Sequence, residues 1–294
     1  MSQRSANHRN KGRNRQDKEH TENIDETNPV MMIFKQCSKE LDAKQDRYER
    51  IVKFSRDITI ESKRIIFLLH TVNNKNAITE QILDEAHTRL TALTQTLFAN
   101  IAKELRGFDQ YQYARAFSSG LQEFVEAFTY YEYIRNGQIF GWVDLQPKLT
   151  YTEVEESKQN DDSEAIPEER DKAPIEINVN NQPFKCLVLV QPLEFMLGLG
   201  DLSGEIMRRC VTSLGTGDFE ICSQACAFLQ SLYTGYMSLH NIRHKDLSNK
   251  IHTLRQSVLK VENVCYNVTV RGGEAAKWGT LDNVVSDNVD EGFY

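Results

Sequence analysis

The sequence predicts an all-α protein whose long helices pack as a bundle. Three observations carry the prediction. Apolar residues recur at helical spacing through most of the 294 residues. Alternating apolar–polar runs bounded by Gly and Pro, the signature of strands, dominate nowhere. The one Pro-containing stretch long enough to separate two domains, 152–182, is acidic and poor in apolar residues, so it reads as a flexible loop inside a single helical domain.

Residues 1–28 are polar and are expected to form a disordered basic tail. Asn28-Pro29 opens the first helix, which should run to Asn73-Asn74. Along it Phe34, Cys37, Leu41, Tyr48, Ile51, Ser55, Ile58, Ser62, Ile65 and Leu69 form a heptad-like stripe, which serves either core packing or a subunit interface. A second helix is expected over about 79–105, with Ile82, Leu90, Leu93, Leu97 and Ile101 inward. A third spans about 109–135 and stops before Gly137, and a short one follows over 140–150. Pro192 suits the first turn of a fifth helix over 192–214, and two more cover 217–240 and 246–270. The domain is thus 29–274, followed by a disordered tail, 275–294.

The net charge of −7 argues at first against a nucleic-acid partner. Its distribution removes the objection. Residues 152–176 carry −7 by themselves, the tail from 275 carries −3 and the first 28 residues +1, which leaves the helical body at +2. No run of eighteen apolar residues suggests a membrane span, and the polar start lacks the apolar core of a secretory signal. The six cysteines, at 37, 186, 210, 222, 226 and 265, form no CxxC pair and are expected to be reduced and mostly buried. An intracellular chain, cytoplasmic and nuclear, is the expectation, with Arg4, Arg9, Lys11, Arg13, Arg15 and Lys18 as a dispersed candidate nuclear address. Asp84-Glu85-Ala86-His87 spells a helicase tetrapeptide, but without a phosphate-binding loop it reads as chance. His240 and His244, without carboxylate neighbours, make a weak metal pair.

Four carboxylates stand out. Glu123 and Glu126 share a face of the third helix, among Leu121, Phe124, Val125, Ala127, Phe128, Tyr130 and Tyr131. Asp201 and Glu205 share a face of the fifth, among Gly198, Gly200 and Gly204. Glycines weaken a helix by roughly 1 kcal/mol each and admit a close neighbour, either a backbone or a ligand. Two such helices facing each other gather four charges that repel. A hard divalent cation, with its preference for oxygen donors, removes the conflict. Ordinary salt-bridged acids are the other reading, with Arg208 three residues after Glu205.

Four blocks of sequence resemble the translin family. They are Asp42–His70 (DAKQDRYERIVKFSRDITIESKRIIFLLH), Gly120–Ala127 (GLQEFVEA), Leu197–Cys210 (LGLGDLSGEIMRRC), and Leu254–Tyr266 (LRQSVLKVENVCY) with Val270-Arg-Gly272. The resemblance covers about 30–150 and 183–273. It implies a seven-helix translin-like bundle of long antiparallel helices that co-assembles with translin into a barrel-like hetero-octamer. It implies an endoribonuclease that acts on single-stranded or nicked RNA, dependent on Mg²⁺ (or Mn²⁺), which removes passenger strands for an Argonaute-containing silencing complex and takes part in tRNA processing. On matching positions the metal-binding acids are Glu123, Glu126 and Asp201, and Glu205 is a further ligand or orients the attacking water. Since translin lacks the full acid set, the resemblance makes this chain the catalytic subunit. Lys53, Arg56, Lys63 and Arg64 are candidates to contact RNA phosphates. A non-catalytic scaffold that stabilises and localises translin is the rival expectation.

Overall fold

A computed structural model describes residues 28–72, 77–153, 184–239 and 242–271. The predicted basic tail, the acidic loop from residue 154, the C-terminal tail, His240 and Gly272 lie outside the described residues. The chain divides into two units, Met1–Glu49 and Arg50–Tyr294.

In the first unit the described residues begin the helix α1 (Pro29–Leu69). Pro29 occupies its first turn, and the Asn28 side chain accepts a 2.9 Å hydrogen bond from the Val30 amide, capping a donor that has no partner within the helix. Phe34 and Leu41, members of the predicted stripe, are exposed here, as are Val30, Met32 and Ile33.

In the second unit the same stripe is core: Ile51, Ser55, Ile58, Ser62, Ile65 and Leu69 are all buried. The continuation is α2 (Ala77–Leu93), a π-helical turn (Thr94–Phe98) and α3 (Ala99–Glu104), which together form the one long helix expected from the sequence. The π turn widens the hydrogen-bond ladder, and the Thr94 carbonyl accepts from the Tyr151 hydroxyl at 2.6 Å. Then come α4 (Ala114–Asn136), the short α5 (Trp142–Leu145), α6 (Pro192–Thr216), α7 (Phe219–Met237) and α8 (Lys245–Arg271). With Ala77–Glu104 counted once, the described residues form seven helices. Gly137 and Gly217 end α4 and α6 in the left-handed conformation that favours glycine.

One element differs from expectation. Residues 150–153, expected as the end of a short helix and the start of the flexible loop, pair with residues 184–187, to which the sequence reading assigns no element, as a two-stranded antiparallel ribbon, β1 (Thr150–Glu153) with β2 (Phe184–Leu187), in the register Thr150↔Leu187. Four-residue strands carry too little alternation to be seen in sequence. The ribbon closes the base of the acidic stretch. Beyond it two glutamine side chains act as substitute strand neighbours. Gln110 donates to the Leu187 carbonyl and accepts from the Leu189 amide, and Gln146 does the same for Val188 and Val190, at 2.8–3.1 Å. The chain is thereby delivered at a set position into Pro192 and α6.

Helix α4 is the centre of the core. Every residue from Phe124 to Glu132 is buried, so this stretch has no solvent face. Two glycines bring its neighbours close. A Cβ on Gly120 would stand 2.7 Å from the Ser55 carbonyl oxygen of α1, and one on Gly198 of α6 would stand 2.5 Å from the Gln122 carbonyl oxygen of α4. The Gly120 amide donates to Ser55 Oγ across the first approach. These contacts set the spacing of α1, α4 and α6, and the candidate site lies along it.

Candidate functional site

The four predicted acids come together. Glu126 projects from α4 and is 9% exposed. Its pKa is pushed up to about 8, first by burial and then by the negative charges of Asp201, Glu123 and Glu205. Asp201 and Glu205 lie on α6, which meets α4 closely at Gly198, and their charges act on Glu126 across that contact. Lys250 opposes the rise. No hydrogen bond or ion pair to the Glu126 carboxylate is formed among the described residues.

The other three acids each have a cationic or histidine partner. Glu123 is bridged at 3.0 Å by Lys63 of α1, whose pKa this contact raises. Asp201 is bonded to the ammonium of Lys250 on α8. Glu205 is bonded to His70 Nε2 at the end of α1, with Arg208 at 3.7 Å, and the His70 bond is the main cause that holds its carboxyl below the usual value. His70 Nδ1 in turn lies 3.0 Å from the hydroxyl of buried Tyr130. A ring that donates from Nε2 to the carboxylate can accept from Tyr130 at Nδ1, so the imidazole is held at both edges.

The arrangement adds partners to the residues singled out in the sequence. Lys63, expected to contact RNA phosphate, is engaged with Glu123. Arg64 reaches Glu61 at 3.4 Å on the side of α1 that faces Arg89. Lys53 and Arg56 are exposed, and Arg56 lies two turns before Lys63 on the same strip of α1. Gly198 meets the backbone of α4 as expected. Gly200 instead makes room for the Lys250 stem, 3.0 Å from where its Cβ would be, and Gly204 faces open space. His70, Tyr130 and Lys250 were missed as site residues, since nothing local in a lone histidine or lysine marks it. The helicase-like tetrapeptide lies within α2, with Ala86 in the core. Of the cysteines, Cys186, Cys210 and Cys222 are buried, but Cys37 is exposed and Cys226 and Cys265 are half-buried.

As they stand, no three His, Cys, Asp or Glu side chains among the described residues are grouped to hold a metal ion. The donor chemistry nevertheless suits a hard cation. The site offers four carboxylates, and the most buried of them, Glu126, lacks a counter-charge bonded to it. Lys63 of α1 and Lys250 of α8 neutralise two of the rest. No helix among the described residues is long and apolar enough to cross a membrane.

Comparison with known proteins places this chain in a family. The family model described as "Translin family" matches residues 46–272, which contain all four acids, Lys63, His70 and Lys250. The chain therefore belongs to the translin family. Among its relatives is the translin-associated protein X of Pongo abelii, 37% identical over 270 residues that cover 91% of this chain and 89% of the relative. Similar solved structures include an apo-NeC3PO crystal structure (TM-score 0.55, 19% identity, 79% of this chain and 95% of that one). A complex of AfC3PO with duplex RNA is also similar (TM-score 0.54, 20% identity, 85% and 98%). At such identities these two structures establish the fold.

Proposed function

We propose that the chain is the catalytic subunit of a complex with translin, and that its α4–α6 acid cluster carries Mg²⁺-dependent (or Mn²⁺-dependent) endonucleolytic cleavage of single-stranded or nicked RNA. The observation that carries the proposal is Glu126, a carboxylate buried without a bonded partner beside three further acids. The similarity to translin-associated protein X and to an RNA-bound C3PO supports it. Glu123, Glu126 and Asp201 would hold the ion. A bound divalent ion supplies an activated water and stabilises the leaving oxygen of a phosphodiester.

The remaining roles fall to this chain's own residues. Glu205, held by His70, would orient a water beside the cluster. Lys63 and Lys250, freed from their acids, would present ammonium groups to a phosphate. Exposed Lys53 and Arg56 would extend the cationic path along α1. The exposed apolar residues of α1 before Glu49 suit the subunit interface with translin. Passenger-strand removal for an Argonaute-containing silencing complex and tRNA processing, in cytoplasm and nucleus, are the settings in which we place this activity.

One observation favours a second reading. Three of the four acids already have partners, as they would in a scaffold that only stabilises and localises translin. The two readings separate in one assay. Labelled single-stranded RNA is incubated with this chain co-purified with translin, with Mg²⁺ or with chelator, and with Glu123→Gln and Asp201→Asn variants that assemble normally. The catalytic reading expects cleavage to vanish in chelator and to fall at least about 100-fold in both variants. Cleavage that is absent, or that survives the substitutions, leaves the scaffold.

A further inference from the structure

Beside the acids, α1 and α2 leave a groove of about 450 Å³ lined by Lys63, Arg64, Phe67, Leu68, Thr71 and Arg89. Phe67 is 71% exposed, more than any other large apolar side chain in the described residues. It follows Lys63 by one helical turn and precedes His70 by three residues, so it shares the strip of α1 that reaches Glu123 and Glu205. Lys63 belongs to both places: it lines the groove and is bonded to Glu123.

Three of the six lining residues are cations and none is a carboxylate. Acids outside the lining hold the cations in place. Glu61 accepts from Arg89 Nε at 2.6 Å and from Arg64 Nη1 at 3.4 Å, Glu85 accepts from Arg89 Nη1 at 3.3 Å, and Glu123 is bridged by Lys63. A guanidinium has five N–H donors, and these bonds use one of Arg64 and two of Arg89. An exposed aromatic ring among cations suits an unpaired nucleobase with its phosphate: the ring stacks on the base and the cations meet the backbone.

We propose that Phe67 is a stacking platform for one unpaired base of RNA, that Arg64 and Arg89 hold the adjoining phosphate, and that this contact selects single strands over duplex. The proposal rests on the function assigned above only in taking RNA as the ligand. A base inside a duplex is covered on both faces by its neighbours and offers Phe67 no surface, whereas an unpaired base can be splayed out onto an aromatic side chain. Phe67 has no hydrogen-bonding group, and every base has a face to stack, so the contact reads strandedness and not sequence. The base is held one turn of α1 from Lys63, which directs the strand toward the acids.

The test uses the full chain co-purified with translin, in chelator, so that binding is read without cleavage. A single-stranded RNA with iodouridine in place of uridine is cross-linked by ultraviolet light, and the peptides are mapped. The expected result is an RNA-bearing peptide modified at Phe67. Phe67→Ala should abolish that cross-link and weaken single-strand binding about tenfold, with affinity for a blunt-ended duplex unchanged, and Phe67→Trp should restore both. Cross-links confined to other residues, or single-strand affinity in Phe67→Ala equal to wild type, would overturn the proposal. So would loss of co-assembly in Phe67→Ala, which would make the groove a seat for the partner subunit. Cleavage of the same RNA in Mg²⁺ is read separately. A Phe67 cross-link without cleavage supports this site and removes the catalytic reading, and cleavage without the cross-link does the reverse.

Discussion

Replacing Glu126 with Gln should stabilise the metal-free protein, by an amount that grows with pH. In the fold this carboxyl titrates near 8, against an ordinary value of 4.5, because it is buried and faces Asp201, Glu123 and Glu205, with Lys63 and Lys250 as the nearby ammonium groups. An acid whose pKa is raised by folding leaves stability intact below the unfolded value, and stability is lost as pH rises toward the folded one. At about 1.4 kcal/mol per pH unit, the cost at pH 7 is on the order of 3 kcal/mol and levels off above pH 8 at about 5 kcal/mol. Urea denaturation in EDTA between pH 5 and 9 measures it. Wild type should lose several kcal/mol relative to Glu126→Gln over this range, with the two nearly equal at pH 5. Added Mg²⁺ should restore the wild type at pH 8 and release a proton on binding, and it should do neither in the variant. Parallel pH curves, or a variant less stable than wild type at pH 8, would refute the argument that burial and three like charges determine the state of Glu126.

Three further outcomes follow from the geometry. Gly120→Ala places a methyl 2.7 Å from the Ser55 carbonyl oxygen, so α1 and α4 must separate; chemical denaturation should show a loss of about 1–3 kcal/mol. Gln146→Ala leaves the Val188 carbonyl and the Val190 amide without their partner and should cost about 1–3 kcal/mol in the same assay, while Gln110 still holds Leu187 and Leu189. Lys250→Ala removes the charge that opposes the rise at Glu126, so the pH midpoint of the stability curve should move upward. The loss of its partly exposed bridge to Asp201 should itself cost no more than about 1 kcal/mol.

The helices and the acids were legible from local signals. The apolar stripe of α1 is periodic, and from Ile51 onward the structure buries the stripe members named in the sequence reading. Acids three or four residues apart share a helical face whatever lies opposite, so Glu123, Glu126, Asp201 and Glu205 could be singled out before any fold was known. The helix-weakening glycines marked close approach, though not to what: Gly198 meets α4, Gly200 meets Lys250, and Gly204 meets nothing. What answers the acids comes from far along the chain. Lys63 and His70 arrive from α1 and Lys250 from α8, and the strand pairing of 150–153 with 184–187 bridges a long acidic stretch. Periodicity reports the face of one helix, whereas the partner of a charge is decided by which helices pack together and at what separation. The sequence by itself therefore determined a helical protein with two acidic faces. Only the tertiary structure decided that those faces meet, that three of the acids are bonded by residues from other helices, and that Glu126 is left buried without a bonded counter-charge.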